Sequence, residues 1–171
     1  MSLAVTNLGA ALLLMAAFIS DVRSMRIPNW LTLPALAAGL LYHVVMGGLS
    51  GATAALTGAG AGFLPLMLLY LLKGIGAGDV KLFAALGAWV GPLLVLQTLM
   101  YAILYAGAVG VILVLALRPF GRRVLNGIAI LVSSGMPDRA RQLMHLSTAK
   151  TMKFPFMLAA LPGALTAWYL A

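Results

Sequence analysis

The sequence predicts an all-α polytopic membrane protein: a bundle of six transmembrane helices with one basic cytoplasmic loop. Three observations predict it. Of 171 residues, 63% are hydrophobic and 8% charged, with a mean hydropathy of +1.08; a soluble domain carries roughly 25% charged residues. Apolar stretches of membrane-crossing length recur between short polar or Gly/Pro-rich breaks. All 11 Lys/Arg residues fall in three of the connections.

The elements follow in order. A crossing helix needs about 20 residues, with a range of roughly 17–25. Residues 3–20 meet that length. The run opens without positive charge (MSLAVTNLGA) and ends at Ser20-Asp21 without a small-x-small cleavage site. It therefore reads as a retained helix, not a signal peptide. Residues 21–29 (DVRSMRIPN) form loop one, and residues 30–47 the second span. Gly47-Gly48 and Ser50-Gly51 make a tight turn into the third span, 51–72. Residues 73–79 (KGIGAGD) form the next loop, overlapping a short span at 79–90. Its apolar part, 80–90, is only about 16 Å long at 1.5 Å per residue, and the chain reverses at Gly91-Pro92. The fifth span is 92–117, the long loop 118–153 and the last span 154–171. Within the long loop, 121–132 and 138–147 have partly helical spacing, which suits a segment lying on the membrane surface or a plain charged connector. The whole chain, 1–171, reads as a single membrane domain.

Charge fixes the expected orientation. The formal net charge is +8. Arg23 and Arg26 lie in loop one, Lys73 and Lys81 flank the next loop, and the other seven basic residues lie within or at the edge of the long loop. The positive-inside rule places these loops in the cytoplasm and both termini outside. It also accounts for the basic excess; no basic patch interleaved with aromatics points to nucleic acid. The partner of most of the surface is the lipid bilayer. Small residues at Ala54, Gly58, Gly62 and at Gly87, Gly91 allow close helix approach in lipid, although a chain this rich in Gly and Ala also produces such spacings by chance. The absence of Cys removes disulfides, thiol catalysis and Cys-ligated zinc.

The chain has three acids, Asp21, Asp79 and Asp138, and no Glu. Acids beside hydrocarbon are costly and mark functional sites. Asp21 ends the first span and Asp79 begins the fourth, so both fall at the cytoplasmic face. Each alone has a structural reading: Asp21 as an interfacial acid balanced by Arg23, Asp79 as a helix N-cap. Two nearby carboxylates, however, share a proton, and one can activate water while the other donates. They titrate as a coupled pair, so neither role belongs to a particular Asp. Gly76 and Gly78 flank Asp79 and leave room for another backbone, such as an extended peptide. Asp138, after Pro137 and before Arg139, reads as a loop residue. His43 and His145 are far apart in sequence, and no H-E-x-x-H or P-loop pattern occurs. No metal site and no cofactor are expected. Lys73 and Lys81 read as topology anchors, with Lys81 also placed to tune Asp79.

Taken together, Asp21, Ile27-Pro28-Asn29 and Gly76-Ala77-Gly78-Asp79-Val80-Lys81 resemble the type IV prepilin peptidases, membrane aspartic proteases of the GxGD kind. The likeness covers essentially the whole chain. It implies that Asp21 and Asp79 are the catalytic pair, that Gly76 and Gly78 shape the loop beside the scissile bond, and that Pro28 and Asn29 fix the start of the second helix. It also implies prepilin-like substrates with a short basic leader, cut after Gly at the cytoplasmic boundary of the plasma membrane. Larger members carry a cytoplasmic CxxC segment between the first two spans and also N-methylate the new terminus. Here that connection is nine residues without Cys, so methyl transfer lacks the segment that accompanies it. The short form resembles the peptidases serving Flp/Tad-type pili; archaeal preflagellin peptidases share the layout. A different reading is a small proton- or ion-coupled transporter with Asp21 and Asp79 as relay groups. Transporter sites usually lie near the midplane within internal repeats, and neither is apparent. A noncatalytic scaffold would need neither carboxylate.

Overall fold

The computed structural model describes residues 2–72, 74–116 and 156–170. Among them there are five α-helices and no strand: α1 Ser2–Ser24, α2 Asn29–Leu71, α3 Ala77–Val90, α4 Pro92–Ala116 and α5 Met157–Leu170. Segments Ala4–Ser24, Asn29–Leu71 and Pro92–Ile112 are long and apolar enough to cross a membrane. Of the spans expected from hydropathy, α3 and α5, at 14 residues each, fall short of that length. Stretches 30–47 and 51–72 are two arms of α2, broken at Gly48, whose φ of 56° and ψ of −136° no helix contains. Only a residue without Cβ adopts that backbone readily. The break folds the arms back on one another, since a Cβ on Gly51 would collide with the carbonyl of His43. Ser50 Oγ donates to the Gly47 carbonyl at 2.7 Å and closes the turn. The expected loop 118–153, with Asp138 and His145, lies outside the described residues, as does Lys73.

Residues 1–106 and 155–171 form one compact unit, and 107–154 a second, described only through the end of α4. In the first unit α3 is the central element. Its Val80, Leu82, Phe83, Ala85, Leu86 and Ala88 are all at most 2% exposed. A 14-residue helix buried on every side has no polar face. The small-residue stripe makes this burial possible. Gly58 and Gly87 face one another so closely that a Cβ on either would collide with the other's carbonyl, and Gly62 likewise abuts the Phe83 carbonyl. Close approach of this kind substitutes for the hydrophobic drive that lipid does not supply.

The far end of α3 is anchored by Trp89. Its indole N–H donates to the Ala35 carbonyl at 2.8 Å, and its ring stacks on Tyr42 with centroids 5.9 Å apart. Gly9 of α1 and Gly39 of α2 face the indole; a Cβ on either would come within 2.6 and 3.1 Å of it. One aromatic side chain therefore ties α1, the first arm of α2 and α3 together. The chain then reverses at Gly91, which has a φ of 84°. His43 stands at this same end, with Nδ1 2.9 Å from the Gly39 carbonyl. It lines a cavity of about 280 Å³ with Tyr42 and Trp89, a packed position removed from the acids.

Candidate active site

At the opposite end of α3, a cavity of about 380 Å³ is lined by Asp21, Met25, Arg26, Ile27, Asn29, Gly76, Ala77, Gly78, Asp79 and Lys81. Six of the seven residues singled out from the sequence meet there: both acids, both glycines, Asn29 and Lys81. Pro28 does not line it. It stands as the extended residue before α2, with φ −75° and ψ 147°, and its carbonyl accepts from Leu31 and Thr32. A residue whose φ is already fixed near that value starts a helix at little conformational cost.

Asp79 is 9% exposed and Asp21 6%, and both line this one cavity. Their backbones are positioned by different devices. Asp79 is not the N-cap that its place after Gly78 suggested. It is the third residue of α3, and its Oδ2 accepts from the backbone N–H of Gly76, the actual N-cap, at 3.2 Å. A carboxylate folding back onto the helix's own start satisfies an orphan donor and complements the positive end of the helix. A Cβ on Gly76 would stand 3.3 Å from that carboxylate oxygen, so the glycine keeps the approach open.

Gly78 faces loop one. A Cβ there would stand 3.1 Å from Ile27 Cβ and 3.3 Å from the Ile27 carbonyl oxygen. The backbone on the side a Cβ would occupy is therefore the chain's own, six residues beyond Asp21 in sequence. This contact brings the segment after Asp21 against the segment before Asp79.

The turn out of α1 is pinned from within. Ser20 Oγ and Ser24 Oγ donate to the Arg26 carbonyl at 3.0 and 3.3 Å. Met25 between them is left-handed, with a φ of 50°, a conformation uncommon outside glycine. Asp21 is held from a distant part of the chain: the backbone N–H of Met157, at the start of α5, donates to its Oδ2 at 3.1 Å. Lys81, one turn past Asp79's end of α3, donates to Asn29 Oδ1 at 2.9 Å, which joins the starts of α2 and α3.

Residues 8–115 match the type IV leader peptidase family. The chain belongs to that family. Similar curated relatives are named "Prepilin leader peptidase/N-methyltransferase". One, from Burkholderia pseudomallei, is 39% identical over 150 residues, covering 80% of this chain and 48% of the relative. Another, from Aeromonas hydrophila, is 46% identical over 85 residues, covering 46% of this chain and 29% of the relative. A third, from Klebsiella pneumoniae, is 43% identical over 98 residues, covering 53% and 42%. The chain thus spans about half or less of the length of these relatives. No solved structure matches it.

Within this leader peptidase domain, sequence reasoning overlooked Met157, Ser20, Ser24 and Met25. The two serines had a signal, four residues apart at the end of an apolar helix. Met157 had none, because it contributes a backbone N–H that every residue except Pro possesses.

Proposed function

We propose that this chain is a membrane aspartic endopeptidase that removes the short basic leader of type IV prepilin-like proteins. It cuts after Gly at the cytoplasmic face of the plasma membrane, with Asp21 and Asp79 as the general acid/base pair. The observation that carries the reading is that the two buried acids, from helices 58 residues apart in sequence, line one cavity in a member of the leader peptidase family. Arg26 and Lys81, which line that cavity, support the orientation.

The chemistry needs only protons and water. The ionised carboxylate takes a proton from water as its oxygen attacks the scissile carbonyl. The protonated carboxylate gives its proton to the carbonyl oxygen, leaving a neutral tetrahedral diol. The carboxyl that took the water's proton then gives it to the leaving nitrogen while the other, now ionised, takes one from a diol hydroxyl; C=O re-forms, the C–N bond breaks, and the pair again holds one proton. Burial keeps the one shared proton between them, since two adjacent charges in a low-dielectric cavity repel strongly. Methyl transfer is not part of the proposal: the connection from α1 to α2 is short and carries no Cys.

The test is co-expression with a prepilin and separate Asp21→Asn and Asp79→Asn changes. Asn still accepts the backbone hydrogen bonds from Met157 or Gly76, so each variant accumulates in the membrane. Each loses leader removal, by at least the roughly 10²–10⁴-fold typical of a lost acid/base group. Normal processing by either variant overturns the two-Asp mechanism. Lost solute uptake with intact processing identifies a transporter.

A further inference from the structure

The start of α5 meets both helices that carry the acids. The Met157 N–H reaches Asp21 Oδ2 across 136 residues of sequence, at 3.1 Å, in a fully buried contact. One residue earlier, the Phe156 ring packs on Phe83, with centroids 6.1 Å apart and planes tilted by 52°. Phe83 lies four residues beyond Asp79, about one turn along α3. The Phe156 carbonyl accepts from Ala159 and Ala160, each at 3.0 Å, so the first turn of α5 is closed. Its leading N–H groups have no partner within the helix. One of these donors is satisfied by Asp21, where the helix's positive end favours a carboxylate.

We propose that the first turn of α5, through the Met157 N–H and the Phe156 ring, is the positioning element that holds Asp21 in register with Asp79 for peptide cleavage. The inference rests on the aspartic-pair reading above. Holding Oδ2 fixes the plane of the Asp21 carboxylate and leaves its other oxygen for the cavity. The ring contact ties the same turn to α3, so the two acids share one reference point. A carboxylate free to rotate samples many orientations, and only a few align with the scissile bond.

The experiment compares Met157→Pro with Met157→Ala in purified enzyme cleaving a prepilin. Pro is well accepted at a first helical position and removes the donor together with the buried Met side chain; Ala removes the side chain and keeps the donor, so the difference between the two isolates the donor. Met157→Pro is expected to lose roughly ten- to a hundredfold in kcat, the scale of a hydrogen bond to a charged group, with KM unchanged. Met157→Ala retains kcat within about threefold of wild type, since the aligning bond survives. Equal kcat for the two variants overturns the inference. If Met157→Pro does not accumulate, Phe156→Gly against Phe156→Leu decides: the glycine variant loses about tenfold in kcat at constant KM, and leucine restores most of it. Equal activity of those two variants overturns it as well. A failure here is distinct from a failure of the aspartic-pair reading, which shows itself as processing by Asp21→Asn or Asp79→Asn.

Discussion

Gly78→Ala tests how finely the acids are placed. The added Cβ would stand 3.1 Å from Ile27 Cβ, whereas carbon pairs rest at about 3.5–4.0 Å. The contact is short by at least about 0.4 Å, and the partner is a main-chain segment with a buried side chain, not the end of a flexible one. Loop one must therefore move outward, carrying the residues that follow Asp21. A 1 Å misplacement costs about 10²-fold in rate, or about 2.7 kcal/mol at 1.36 kcal/mol per factor of ten. In proportion, 0.4 Å costs about 1.1 kcal/mol, roughly sixfold. Gly78→Val adds two methyls to the same contact and loses at least about a hundredfold. The assay is steady-state cleavage of a prepilin by detergent-purified enzyme, with protein amount measured in parallel. Gly60→Ala is the control: a Cβ there meets nothing within 4 Å, and Ala in a helix is favoured by up to about 1 kcal/mol. Full activity in Gly78→Val refutes the reasoning, as does a loss of activity wholly explained by a loss of folded protein.

Gly87→Val places a side chain against the Gly58 carbonyl; the helices separate, and membrane accumulation falls severely, read by immunoblot of membrane fractions. Trp89→Ala empties the site between Gly9, Gly39 and Tyr42 and costs about 3–5 kcal/mol, seen as a lower detergent melting temperature. Lys81→Met and Asn29→Ala each break the bond between the starts of α3 and α2. Each lowers kcat/KM by a few-fold, and the double variant is no worse than the poorer single one, because both remove the same interaction.

The fold class was legible because lipid imposes a simple pattern: long apolar stretches separated by short breaks. The turn at Gly48 is legible in its glycines, but not how closely it brings Gly51 against the His43 carbonyl. The Ala54, Gly58 and Gly62 stripe was ambiguous in sequence; the Gly58–Gly87 contact shows that packing, not chance, occupies it. The acids stood out because they were so few. Their surroundings were less legible. The structural alternative for Asp79, an N-cap, misplaces the helix start by three residues, because the Gly-rich segment before it offers no side chain that marks the cap. That Ile27 lies against Gly78 is not legible, since a glycine announces that something comes close without saying what. The Met157 donor lay beyond any pattern, being a property of tertiary position alone.

The shortness of α3 has a consequence for depth. Fourteen residues rise about 21 Å, about 9 Å less than the roughly 30 Å hydrocarbon of a bilayer. Placed with the Gly91 turn at one boundary, α3 would leave its first turn short of the other. The carboxylates then lie below the headgroups, where either the lipid thins around them or water enters from the side. On the proposed peptidase reading, a substrate's apolar segment then needs no extraction from lipid to present its cleavage point. The bilayer thickness itself becomes a determinant of how much of that segment reaches the acids.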